Sequence, residues 1–203
     1  MPDDTQLRAK ELAGQKTAAE QTAVRSMRNR DSHHFEAKDM AMIMHIYYAQ
    51  AELCVRADAP LASCIMVGAT VEALLTIIAL IFFDEAIQTG NAPKYSKGKR
   101  KGETKELLDW KFVQLLNVAK EARWLPEELE PEQSMDPRPV KTAVRTDTIR
   151  EVRNLVHPAR YLKDRKGKEY THEELRTLYA TCQAVCTCLE NKVYQAYPEL
   201  RTA

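Results

Sequence analysis

Residues 149–158, Ile-Arg-Glu-Val-Arg-Asn-Leu-Val-His-Pro, combine side-chain types that can act on a phosphodiester. On a helix, four polar residues stand at i, i+3, i+4 and i+7 and share one face, here called the polar stripe: Arg150, Arg153, Asn154 and His157. Arginine pairs with phosphate oxygens in a bidentate fork, and histidine can transfer a proton near neutral pH. The polar stripe could therefore bind RNA, or cleave it through the RNA's own 2′-hydroxyl.

A structural interpretation of the polar stripe stands beside the chemical one. Glu72 lies in the middle of a long apolar segment, where we expect it to be buried. A buried carboxylate needs a charged or hydrogen-bonding partner, which Arg150 or Arg153 could supply from a neighbouring helix. Asn154 and His157 would then bond to the backbone near Pro158. The sequence leaves both interpretations open.

Basic residues are concentrated in two segments. Residues 94–105 hold six Lys or Arg against one acid, and residues 138–168 hold ten against three. Such segments can bind phosphates, although charge runs are also common in solvated loops. The candidate nucleic-acid contacts are Lys97, Lys99, Arg100, Lys101, Arg160, Lys163 and Arg165. Three tyrosines could stack on single-stranded bases beside them: Tyr95, Tyr161 and Tyr170.

The elements that must position these residues are all helical. Six helical segments are predicted, over residues 4–30, 35–57, 61–83, 140–156 and 171–197 and from Leu107 to the closing Trp124-Leu125-Pro126, and no stretch alternates with period two. On the second helix the predicted buried face is Met40, Ile43, Met44, Tyr47, Tyr48, Ala51 and Cys54. For the last helix, Thr171 and Glu174 predict an N-cap with a capping box. We expect an all-α, up-and-down helical bundle of about five helices with an N-terminal helical arm.

The chain divides by composition into an arm and a body. Residues 1–34 are polar and rich in Ala, Gln and Arg, with too few large apolar residues for a buried stripe, and they could dock a protein partner. Residues 35–203 form the predicted bundle. Within it, residues 90–105 are a basic loop with Gly and Pro, and residues 127–139 are an acidic, proline-rich linker.

The apolar segment 61–83 is long enough to cross a bilayer, at about 1.5 Å of rise per residue. Glu72 at its middle would be costly there, and Asp84 and Glu85 follow at once. A helix buried on all sides of a bundle has the same composition. We interpret the segment as a core helix and expect no membrane partner.

The totals fit a globular chain in a reducing compartment. The sequence has 203 residues, of which 44% are hydrophobic and 29% are charged. Because its formal net charge is only +1, the electric field of the whole protein favours neither a nucleic acid nor an acidic substrate. Five cysteines and no secretory signal predict reduced thiols and a cytoplasmic protein. Because Cys188 points away from Cys182 and Cys186 on a helix, we expect buried thiols, no metal and no cofactor.

Three parts of the sequence together resemble the HEPN family (higher eukaryotes and prokaryotes nucleotide-binding). Residues 68–75, Gly-Ala-Thr-Val-Glu-Ala-Leu-Leu, are similar to the long apolar helix of that family. Residues 115–119 with Trp124-Leu125 resemble the helix before its motif, and Arg-Asn-x-x-His-Pro at 153–158 resembles the motif itself. The resemblance implies a homodimer that pairs two motif faces. It also implies a metal-independent endoribonuclease site, in which Arg150 and Arg153 are alternative phosphate ligands.

Three functions from different classes follow from these observations. The first is an RNA-directed binding or interaction protein of a bacterial toxin–antitoxin or phage-defence system. The second is a metal-independent endoribonuclease, with His157 as general acid or base and the arginines stabilising the phosphorane. The third is a subunit of a larger complex, in which the polar stripe only holds the bundle together. Glu151 beside Arg150 weakens the second, and the basic segments weaken the third.

Overall fold

The computed structural model describes residues 33, 35–125, 128–129, 140–141 and 170–197. Within them lie five α-helices: α1 (35–56), α2 (Pro60–Ile81), α3 (Phe83–Gln88), α4 (Phe112–Glu121) and α5 (His172–Ala196). A 3-10 helix spans Leu107–Asp109, and two short strands, β1 (Glu128–Leu129) and β2 (Val140–Lys141), pair antiparallel. The predicted all-α helical bundle is confirmed. The arm at residues 1–34 falls, apart from His33, outside the described residues and stays a prediction.

The chain reverses sharply between α1 and α2. Asp58 takes a left-handed conformation (φ 51°), and the Ala59 N–H donates to the Cys54 carbonyl at 2.9 Å. Pro60 then occupies the start of α2, where its fixed φ and missing N–H suit the first helical turn. Such a short connection produces two neighbouring antiparallel helices. His33 lies just before α1 and Phe83 just after α2, and the centroids of their rings are 4.3 Å apart. This contact between the start of α1 and the end of α2 confirms the antiparallel arrangement.

Helices α2 and α5 lie side by side and run in the same direction. At their beginnings the Cys64 thiol donates to the Leu175 carbonyl at 3.1 Å. At their ends the Lys192 ammonium lies 4.9 Å from the centre of the Phe82 ring.

The core is built around α2, which packs mainly against α5 and also against α4. Its apolar side chains face neighbours on most sides, and the largest fully buried ones in the core are Leu75, Ile78, Leu115, Leu116, Leu189, Val67, Val71, Val118 and Val185. Helix α5 begins as predicted. The Thr171 hydroxyl accepts from the Glu174 N–H at 3.2 Å, and the Glu174 carboxylate accepts from the Thr171 N–H at 2.7 Å.

By length and composition alone, α2 could cross a membrane, and 72% of its most apolar window is buried inside the structure. Core packing against α4 and α5 accounts for this apolarity. The absence of a membrane partner stays a prediction. Glu72, which we expected to be buried, is only half-buried. Because burying a carboxylate completely costs several kcal/mol, the fold keeps Glu72 at the edge of the buried face of α2.

Two predicted helix starts are wrong. The helix predicted from Leu107 starts later, because Leu107–Asp109 form a 3-10 turn that brings the indole of Trp110 into the core, and α4 begins at Phe112. The helix predicted over 140–156 is wrong at Val140–Lys141, which pair with Glu128–Leu129 across the proline-rich linker. Pro139 and the β-branched Val140 favour extended backbone there. The rest of that predicted helix lies outside the described residues.

Candidate functional site

Residues 94–105, here called the basic hairpin, fold back on themselves as an antiparallel ladder. Lys94 and Thr104 form an antiparallel bridge, and the Tyr95 N–H donates to the Glu103 carbonyl at 2.9 Å. The Gly102 N–H returns to the Tyr95 carbonyl at 2.9 Å. Gly98 and Gly102 have φ of 82° and 89°, which a side chain would strain. The segment that the sequence predicted to be a basic loop is therefore a hairpin held by backbone hydrogen bonds.

The root of the basic hairpin is fixed to α4. At the last residue of α4, the Glu121 carboxylate accepts from the Gly90 N–H at 2.7 Å and from the Asn91 N–H at 3.0 Å. It also accepts from the Asn91 side-chain amide at 2.7 Å. The hydrogen bond from Gly90, followed by those from Asn91, lowers the pKa of Glu121, so these bonds persist throughout the neutral range.

The second strand of the basic hairpin is fixed by a tryptophan. The buried indole of Trp110 donates to the Lys105 carbonyl at 3.1 Å. The Lys105 N–H in turn donates to the Pro93 carbonyl at 2.8 Å, next to the buried Ala92. Both strands of the hairpin therefore leave the core at defined positions, and its tip is held away from the bundle.

Arg100 clamps the hairpin. Its guanidinium lies 4.5 Å from the centre of the Tyr95 ring and donates to Glu103 at 2.8 Å and to Glu106 at 3.0 Å. The carboxylates of Glu103 and, to a smaller extent, Glu106 raise the pKa of Arg100, and their negative charges offset the positive charge that it keeps. Arg100, predicted to be a nucleic-acid contact, thus has internal partners, and one face of Tyr95 is covered by it.

Four of the five remaining cations of the basic hairpin are exposed to solvent: Lys94, Lys97, Lys99 and Lys101. The fifth, Lys105, is half-buried. Residues 96–102 contain no acid, so the tip presents positive charge alone. An ammonium on a flexible stem binds phosphate oxygens without regard to base sequence. This arrangement can hold a nucleic-acid backbone at one edge of the bundle.

The polar stripe Arg150, Arg153, Asn154 and His157 lies outside the described residues, as do Arg160, Lys163, Arg165 and Tyr161. Their predicted roles, including the endoribonuclease site, stay predictions. Tyr170, predicted to be available for stacking, instead packs against a small core cluster of Cys64, Leu175 and Leu178.

Three of the five cysteines are buried thiols: Cys64, Cys182 and Cys186. Cys54 and Cys188 are half-buried, and Cys188 points away from Cys182 and Cys186 as its place on the helix predicted. Burial raises the pKa of the Cys64 thiol to about 11 and holds those of Cys182 and Cys186 well above their ordinary value. Among the described residues, no group of three or more His, Cys, Asp or Glu side chains could hold a metal ion.

Two residues that shape this region were missed by sequence reasoning. Glu121 binds the hairpin root 30 residues earlier in the chain, and Glu85 accepts from the buried Trp124 indole at 2.8 Å. Both are single acids on short helices, with no spacing motif that marks their partners. A buried tryptophan that needs an acceptor was the one available signal.

No family model matches the chain, and no match is found among curated proteins or among solved structures. What the chain does must therefore be inferred from its own residues.

Proposed function

We propose that this chain is an RNA-directed binding protein of the HEPN-like type, and that the basic hairpin is one of its RNA contacts. The observation that carries the proposal is the exposed set of lysines on a hairpin whose two strands are fixed to the core: Lys94, Lys97, Lys99 and Lys101. Lysines held close together can neutralise successive phosphates of a single strand.

The fixed root of the basic hairpin favours an RNA contact over the alternative that residues 94–105 are only a solvated loop. Ordering a flexible loop on binding costs free energy, and a hairpin that is already hydrogen-bonded avoids much of that cost. Arg100 contributes by holding the hairpin together, while the lysines supply the positive surface. A phosphate-directed contact of this kind gives affinity with little sequence preference.

The first prediction concerns Lys99→Gln/Lys101→Gln. We expect the double variant to bind a mixed single-stranded RNA pool roughly 25-fold more weakly at 0.1 M salt, because each phosphate that is no longer neutralised removes about 0.7 from the salt slope. The slope of log affinity against log salt should become shallower by about 1.4. Fluorescence anisotropy across a series of salt concentrations measures both quantities.

Lys111→Gln/Arg176→Gln provides the matched control, since it removes two exposed cations from the start of α4 and from α5 while leaving the hairpin intact. We expect it to retain nearly the wild-type affinity and slope. An equal weakening of binding in the two double variants would mean that only overall charge matters. A wild-type chain that binds no RNA at any salt concentration would refute the proposed function.

The second prediction concerns Glu121→Gln. Removing a negative charge near the hairpin should by itself strengthen RNA binding, whereas loosening the root should weaken it. We expect affinity to fall several-fold with little change in the salt slope, because the lysines remain and only their positions become less defined. The same anisotropy titration measures it.

Glu173→Gln is the control for Glu121→Gln, because it removes one exposed carboxylate at the beginning of α5, away from the hairpin root. It should leave RNA affinity unchanged or slightly higher. If Glu121→Gln also bound more tightly, the carboxylate would act through its charge alone and would have no positioning role.

A further inference from the structure

The outward face of α1 carries large apolar side chains that are exposed in the structure. Phe35, Met42, Ile46 and Leu53 are 70%, 61%, 55% and 53% exposed, and Ile43 beside them is 41% exposed. An isolated exposed apolar residue needs no explanation, but a continuous row marks a surface that another molecule covers.

The spacing of this row is that of a two-stranded coiled coil. Phe35, Met42, Ile46 and Leu53 follow one another at steps of seven, four and seven residues, and the exposed Ala49 stands between the last two. Such steps keep to a period of 3.5 residues, which is the repeat of a coiled-coil seam. The opposite face of α1 already packs into the core through Ala37, Met44 and Ala51. The sequence prediction of a single buried face was thus incomplete, and its Ile43 is wrong.

We propose that this face binds a second copy of the same chain, with the two α1 helices antiparallel about a two-fold axis. In that register Met42 packs against Leu53 of the second copy. Ile46 packs against Ala49 of the second copy, close to the axis. A coiled-coil seam alternates two kinds of position, three and four residues apart. In antiparallel packing a residue at one kind of position meets a residue at the other kind, and both pairs satisfy this requirement. The dimer surface is independent of the basic hairpin and of the proposed RNA binding.

Charge on either side of residues 42–53 of the row selects the antiparallel arrangement. In the same register Asp39 flanks this stretch at one end and Arg56 at the other, both exposed, while Phe35 lies outside the paired stretch. Antiparallel helices place each Asp39 opposite an Arg56, so two ion pairs close the apolar seam. Parallel helices would place Asp39 against Asp39 and Arg56 against Arg56, which like-charge repulsion disfavours.

The sequence of the arm argues for a second copy over residues 1–32 as the molecule that covers this row. A coiled-coil strand must supply an apolar side chain at alternate steps of three and four residues. Residues 5–32 have only four large aliphatic side chains, at Leu7, Leu12, Val24 and Met27, with eleven residues between Leu12 and Val24. Helix α1 itself supplies apolar side chains at these steps from Met42 through Ile46 and Ala49 to Leu53.

The third prediction is the test of this dimer with the full chain. Wild-type protein should change from one chain to two as its concentration rises in sedimentation velocity, and its melting temperature should rise with it. Ile46→Glu should remain a single chain with unchanged helix content. The matched control is Leu108→Glu, since Leu108 is also 55% exposed but lies on the 3-10 helix. It should dimerise like the wild type.

The register has its own test, which does not depend on an apolar residue. Asp39→Arg and Arg56→Asp should each weaken the dimer, and the double variant Asp39→Arg/Arg56→Asp should restore it. A parallel pair would gain nothing from the exchange, so failure of the double variant to dimerise would overturn the antiparallel register. A wild-type chain that stays monomeric at every concentration would overturn the proposal and assign the face to residues 1–32 or to another protein.

Discussion

Replacing Leu75 by alanine is expected to lower the free energy of unfolding by about 2–5 kcal/mol. Leu75 lies in α2, is fully buried, and belongs to the core that α2 forms with α4 and α5. Shortening it removes buried methyl groups and leaves a cavity, because three helices fixed around it can close the space only in part. For a chain of this size the melting temperature should fall by roughly 5–15 °C.

Leu61→Ala makes the same chemical change in the first turn of the same helix, where the side chain is 40% exposed. Since no closed cavity results, its effect should stay below about 1 kcal/mol. Urea unfolding followed by circular dichroism measures both variants. Similar destabilisation at the two positions would show that α2 is not the centre of the core in solution.

Much of the fold could be predicted because two signals are local and strong. The apolar run of α2 ends at charged Asp84 and Glu85, and the structure ends that helix at Ile81, within two residues of the prediction. The capping box of α5 depends on Thr171 and Glu174 alone, so its three-residue spacing was enough to locate the helix start. In both cases the residues that decide the structure are neighbours in sequence.

The errors arise where tertiary contacts override periodicity. The stretch from Leu107 has helical apolar content, yet Trp110 must reach the core and donate to Lys105, which breaks the first turn. On α1 the apolar residues occupy two opposite faces, and periodicity cannot tell which of them faces the core. Ile43 was placed on the buried face for this reason.

The candidate site was predicted in composition but not in geometry. The lysines of residues 94–105 were recognised from charge alone, and the structure places four lysines of this segment in solvent. The role of Arg100 could not be predicted, because it depends on the hairpin bringing Tyr95, Glu103 and Glu106 around one guanidinium. Glu121 was missed because its partners lie on a distant turn.

The other large expected effect is in thiol chemistry. When the folded protein is treated with a disulfide reagent at pH 8, the half-buried Cys54 and Cys188 should react first. Cys64, Cys182 and Cys186 should react at least roughly a thousand-fold more slowly, since they become accessible only when the structure opens. A pKa of about 11 leaves Cys64 almost entirely in the unreactive thiol form.

The number of thiols released over time, with and without urea, measures this protection. Cys54→Ser and Cys188→Ser should each remove one fast thiol, whereas Cys182→Ala should leave the fast phase intact and remove one slow thiol. Rapid reaction of all five cysteines in the absence of urea would contradict the packing of α5 against α2, on which the bundle depends.

The same burial sets a pH dependence whose sign can be worked out. Burial raises the pKa of the Cys64 thiol from its ordinary value of 9.0 to about 11, so the folded chain keeps a proton that the unfolded chain loses. Its contribution to stability is complete below pH 9 and is lost as the pH rises through 11, at up to about 1.4 kcal/mol per pH unit. The melting temperature of Cys64→Ala should therefore fall less between pH 8 and 11 than that of the wild type. An equal fall for the two proteins would contradict the burial of Cys64, because an accessible thiol ionises equally in both states.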